Sequence, residues 1–111
     1  MAGIVINKSS TWSVAGWVHD FTVGLLLKYL PPDACPELKN ILHKDQVTGL
    51  GFFSIEDLDS ASLGVLKRTL EQMTRALRSG EEYFATPSFL PSYLDRLREL
   101  QSAVANDDRL K

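Results

Sequence analysis

The sequence predicts an all-α protein, a compact antiparallel bundle of about four helices, and three observations carry that expectation. Apolar residues recur at steps of three and four in four separate segments. Pro31-Pro32, Gly49, Gly51, Gly80 and Pro91 punctuate the spaces between them. A length of 111 residues suffices for one hydrophobic core and leaves no room for two. The expectation is a single helical domain over residues 1–111, with residues 1–10 as an extended arm or short strand and residues 106–111 as a charged tail that frays.

Ile4, Val5 and Ile6 are consecutive β-branched residues, enough for one short strand but too few to define a sheet. Val14, Trp17, Val18, Phe21, Leu25 and Tyr29 then keep a helical period, with Ser10 or Thr11 available as N-cap. Whether residues 4–18 begin as strand or helix stays open here. The first helix ends at Leu30, because Pro31 pushes its predecessor out of the helical region and offers no donor. Val23, Leu26, Leu27 and Leu30 cover the other side, so this helix is expected at the buried centre. Pro36 suits the first turn of a second helix, with Leu38, Ile41 and Leu42 on one face as far as about Lys44. Residues 49–59 have no helical period and read as a connector.

The third helix has the clearest pattern: Leu63, Leu66, Leu70, Met73 and Leu77 form one stripe, Glu71 precedes Arg75 by one turn, and Ser79-Gly80 supplies a stop. A fourth follows Pro91, with Tyr93, Leu97, Leu100 and Val104 on one face and Ser92 and Asp95 arranged like a capping box.

Composition excludes several classes. Twelve Lys plus Arg against fourteen Asp plus Glu give a net charge of -2, so bulk electrostatics attract neither nucleic acid nor anionic lipid. Cys35 is the single cysteine and has no partner for an internal disulfide. Residues 23–27 form the longest apolar run, far short of the ~20 needed to span a bilayer, and residues 1–6 lack a signal-peptide pattern. A cytoplasmic location is therefore expected.

Catalytic chemistry finds little footing. Neither His-x-x-x-His nor Cys-x-x-Cys occurs, and a helix would point His19 and Asp20 about 100° apart. Cys35 and His43 could form a nucleophile and base only if the fold joined them, and a cysteine between Ala34 and Pro36 reads more simply as a small hydrophobe. Gly49-Leu50-Gly51 lacks the third glycine and the lysine of phosphate-binding loops. The expectation is no catalytic residue, no metal, no cofactor and no enzyme.

Charge is unevenly laid out. Residues 45–66 hold four acids and no base, and residues 67–78 hold Lys67, Arg68, Arg75 and Arg78 against Glu71. Acids before a helix and bases in its last turns complement its dipole, which accounts for both blocks, and the Arg68, Arg75 and Arg78 side reads as a solvated face more readily than as a nucleic-acid stripe. Phe52, Phe53 and Ile55 adjoin Glu56, Asp57 and Asp59, and Glu81-Glu82-Tyr83-Phe84 repeats the pairing of acid with aromatic. Such aromatics either plug the end of the core or anchor a partner inside a charged, steering rim.

A short acidic chain with one cysteine, no catalytic signature and connectors such as Gly51-Phe52-Phe53-Ser54-Ile55-Glu56-Asp57-Leu58-Asp59 resembles the small immunity proteins of bacterial toxin and immunity systems, including those of contact-dependent inhibition. The likeness spans the whole chain in size and style. It implies a binding protein that neutralises a cognate toxin by occluding its active or substrate-binding surface and performs no reaction. The charge argument then places the partner surface on Phe52, Phe53, Glu56, Asp57, Asp59, Glu81, Glu82 and Tyr83, with a basic toxin domain as the partner and neither membrane nor nucleic acid involved. Two alternatives stand beside it: a helical subunit of a larger assembly, and a nucleic-acid accessory protein using Arg68, Arg75 and Arg78.

Overall fold

The computed structural model describes residues 2–33 and 35–111. Along these residues run β1 (Ala2–Asn7), β2 (Ser10–Val14), α1 (Gly16–Tyr29), α2 (Pro36–Thr48), β3 (Phe52–Ser54), α3 (Ser60–Ser79) and α4 (Leu90–Ala105), with 3₁₀ turns at Pro87–Phe89 and Asp108–Leu110. The all-α expectation is thus corrected. Four helices pack with a mixed three-stranded sheet of order β2-β1-β3, an α/β arrangement.

β1 is the central strand, antiparallel to β2 and parallel to β3. A parallel neighbour requires a crossover, and α1 and α2 supply it. In β2, Trp12 and Val14 face inward while Thr11 and Ser13 face solvent, the period of a half-buried strand. Val14 also lies three residues before Trp17 and so fits a helical phase, which is why the helix was expected to start at Ser10 or Thr11. It starts at Gly16, after an N-cap residue, Ala15, that makes no side-chain hydrogen bond. β3 has only three residues and alternates outward Phe52, inward Phe53, outward Ser54, a pattern too short to be distinct before β1 pairs with it.

Within residues 1–10, expected as an extended arm or one short strand, residues 2–7 form β1 and Ser10 begins a second strand, β2. The β1–β2 hairpin turns at Lys8 and Ser9, where the Asn7 side-chain carbonyl accepts from Ser9 N at 2.8 Å, and the register shifts between Val5 and Asn7. Gly3 is required by close approach: a Cβ there would lie 2.1 Å from the Trp12 carbonyl oxygen.

Leu63, Leu66, Leu70, Met73 and Leu77 of α3 are buried, as are Tyr93, Leu97, Leu100 and Val104 of α4, so both stripes fall where their spacing put them. Gly80 ends α3 in the left-handed region at φ 83°. The Ser92–Asp95 capping box does not form; Pro91 occupies the first turn of α4 and Asp95 instead accepts from Arg98 at 3.0 Å. α2 extends past Lys44 to Thr48. The tail expected to fray folds back, because Arg109 donates to the Ile6 carbonyl of β1 and so fastens it to the sheet.

Candidate functional site

The expected partner residues fall in three places. Phe52 is exposed on the outer side of β3, whereas Phe53 turns inward and its ring lies 5.5 Å from that of His19. Glu56 and Asp57 are exposed in the turn after β3, and with Asn7, Lys8, Ser9 and Ser10 of the hairpin they line a polar cleft. Asp59 acts locally, capping α3 by accepting from Ser62 N at 2.7 Å, and that hydrogen bond holds its carboxyl below the usual range.

Glu81, Glu82 and Tyr83 lie in the α3–α4 connector, away from that cleft's lining. Glu81 lines a shallow depression with Arg75 and Arg78. Glu82 accepts from Lys28 Nζ at 2.7 Å and from Tyr29 Oη at 2.9 Å, tying the connector to α1, and the Lys28 bond lowers its carboxyl from the ordinary value. Tyr83 is 78% exposed. The eight residues therefore do not form one surface. Phe52 lines one cleft with Leu50 (70% exposed), Glu56 and Asp57 line another, and two further exposed apolar residues are missing from a charge-led reading: Val47 on α2 (86% exposed) and Phe89, near Trp17.

Trp17, Phe21, Phe84, Ala85, Thr86 and Phe89 line an apolar groove of about 310 Å³. Its floor is built of edge-to-face packing, with Phe21 at 5.0 Å from Tyr93 and 5.2 Å from Phe84. Below it, Thr22 Oγ1 donates to the Val18 carbonyl at 2.7 Å, so the Tyr93 hydroxyl at 2.7 Å is the donor to Thr22. Burial pushes the Tyr93 hydroxyl up to about 12, leaving it an uncharged donor. Trp17, expected on the core stripe of α1, is instead half exposed at the groove's edge.

Two ionic centres lie within the fold. At one, Arg109 Nε donates to Asp107 Oδ1 at 2.8 Å and Nη2 to Oδ2 at 3.0 Å, a bidentate pair. Its remaining donors reach the carbonyls of Ile55, Glu56 and Leu58 through Nη1 and of Ile6 through Nη2, at 2.8 to 3.1 Å. Asn7 Nδ2 completes the set on Asp107 Oδ2 at 2.7 Å. The guanidinium, aided by Asn7, holds the Asp107 carboxyl far below its ordinary value despite burial.

At the other, His19 of α1 and Asp45 of α2 are both buried, with Nε2 2.9 Å from Asp45 Oδ2. A carboxylate only accepts, so Nε2 carries the hydrogen. His19 Nδ1 and Asp45 Oδ1 are buried and have no hydrogen-bond partner among the described residues. Asp20, exposed on α1, brings a third ligand-type atom within 4.8 Å of the other two. The spacing of His19 and Asp20 alone gave no sign of this cluster, because its third member comes from α2. Cys35 and His43 are not part of it: Cys35 Sγ contacts the Ser62 carbonyl at 3.8 Å, and His43 is exposed.

No protein family and no curated protein matches this sequence. Among solved structures, one described as the CdiA-CT toxin from Burkholderia pseudomallei E479 in complex with its cognate CdiI immunity protein is similar at a TM-score of 0.81 and 21% identity, covering 100% of both chains. That similar structure is of a toxin, which corrects the expectation of an immunity-type protein that neutralises a toxin and is not an enzyme; neither expectation is carried forward. At this identity the likeness establishes a shared fold, which is the α/β arrangement above and not a helical bundle.

Proposed function

We propose that this chain is one member of a contact-dependent toxin and immunity pair and acts by forming a tight complex with its cognate protein. The observation that carries the proposal is exposed Leu50 and Phe52, which line one cleft at β3 and are followed within five residues of chain by exposed Glu56 and Asp57. Large exposed apolar side chains together with exposed acids have the make-up of an interface: the apolar centre loses water on contact, and the charged rim steers a partner that presents a basic surface. The similar solved structure, itself a toxin with its immunity protein, supports the same reading. Glu81, Glu82 and Tyr83 drop to a secondary position, since Glu82 is occupied by Lys28 and Tyr29.

The test is co-expression with the product of the adjacent reading frame, followed by size-exclusion chromatography and binding kinetics. A one-to-one complex is expected, with Leu50→Ala or Phe52→Ala speeding dissociation and with Asp57→Asn slowing association and weakening its salt dependence. Absence of a complex, or folded variants with unaltered rates, contradicts the proposal. Likeness to the structure of a toxin favours the toxin side of the pair. Expression of the chain alone tests that side: growth arrest relieved by the partner supports it, and unaffected growth contradicts it.

A further inference from the structure

We infer, on the protein-binding reading above, that the cleft between α2 and β3 is the socket for one lysine side chain of the partner protein, whose ammonium pairs with the buried Asp45 carboxylate. Asp45 is 5% exposed, and its two oxygens differ. Oδ2 accepts from His19 Nε2 at 2.9 Å, whereas Oδ1 has no hydrogen-bond partner among the described residues. Buried side-chain acceptors are nearly always hydrogen-bonded, so a lone one beside a cleft marks a place for a donor from outside. Asp45 lines the cleft, and that donor has a route to it. His19 Nδ1, the other unpartnered atom, belongs to a residue outside that lining and takes no part.

The lining selects the donor. The cleft holds about 220 Å³, below the ~300 to 1,000 Å³ of pockets that enclose a whole small molecule, and so it suits one long side chain. Ile41, Leu50, Phe52 and Phe53 give it apolar walls. A lysine lays its hydrocarbon stem along such walls and carries its charge at the tip. One carboxylate oxygen is open, since Oδ2 is taken by His19; a compact ammonium needs no more, whereas a guanidinium fork is matched to two. Thr48 Oγ1, also in the lining, donates to the Lys44 carbonyl at 2.7 Å and so offers the ammonium acceptor capacity. Lys44 is the basic residue of the lining and the charge that opposes entry. It makes no bond to Oδ1 and is exposed, so it turns into solvent as the partner's ammonium enters.

The experiment measures dissociation of the complex with the adjacent gene's product and maps the partner's lysines by amine acetylation and mass spectrometry. In the parent complex, one partner lysine is expected to be protected from acetylation. Asp45→Asn keeps an oxygen for the His19 Nε2–H and puts an N–H in place of the open acceptor. It should speed dissociation at least about tenfold, leave association nearly unchanged and return that lysine to its free reactivity. Replacing that lysine by methionine in the partner should cost the parent complex a similar factor and cost the Asp45→Asn complex little more. A parent complex in which no partner lysine is protected overturns the inference. An unchanged dissociation rate in folded Asp45→Asn, or additive effects of the two substitutions, does the same, and the protein-binding reading survives each of these results. Absence of any complex overturns both.

Discussion

The two ionic centres contain similar chemistry and differ in completeness. At the Asp107–Arg109 centre, the five guanidinium N–H groups and both carboxylate oxygens are drawn into hydrogen bonds, so the tail is fastened to β1 and to the turn before α3. At the His19–Asp45 centre, a single hydrogen bond joins the two side chains, and two buried atoms lack partners among the described residues, each costing about 1 to 3 kcal/mol. The difference separates a strong fastening from a weak one. A complete network resists change and holds the chain in place; an incomplete one joins its helices at a cost in stability.

Breaking the complete centre should have the largest effect. Arg109→Ala strands the buried Asp107 carboxylate and frees four carbonyls, and a loss of about 3 to 5 kcal/mol is expected from urea unfolding. A change below about 1 kcal/mol would show that the tail is not fastened.

Acid should weaken the same centre next. The folded Asp107 carboxyl is held below its ordinary value of 3.8, so its stabilisation is fully present above that value and is lost as pH falls through the lower folded value. Stability of the parent chain should therefore drop more steeply below pH 3.8 than that of Asp107→Asn. Parallel stability curves would remove Asp107 as the cause.

The incomplete centre should respond less. Asp45→Ala alone leaves His19 buried without its acceptor, at a cost of about 1 to 3 kcal/mol. Replacing both members by His19→Leu and Asp45→Leu should restore stability to within about 1 kcal/mol of the parent or exceed it, since an apolar pair of similar volume needs no partners. A double variant as unstable as Asp45→Ala would mean that the pair is a strong fastening after all, and the contrast between the centres would fail.

The sequence disclosed the helices better than the sheet, for physical reasons that can be named. α3 is a long amphipathic helix, and its Leu63-to-Leu77 stripe repeats over several turns, so neighbouring residues alone determine its phase. β1, β2 and β3 are short, and each becomes a strand only by pairing with another; Phe52–Ser54 has no local signal comparable to its contact with β1. The candidate surface was legible in part, because Phe52, Glu56 and Asp57 stand together in the chain. Val47 and Leu50 were missed because they carry no charge, and their exposure depends on α2 ending beside β3. The His19–Asp45 contact joins residues of different helices, and no single-segment motif could disclose it.

The central claim is that the chain works through a protein complex formed on its β3 side. Hydrogen exchange of the chain with and without the adjacent gene's product tests it most directly. Amides from Val47 to Asp57 are expected to gain protection in the complex, while those around Trp17 and Phe89 at the apolar groove keep their free-state exchange. Protection confined to the groove, or none anywhere, would contradict it.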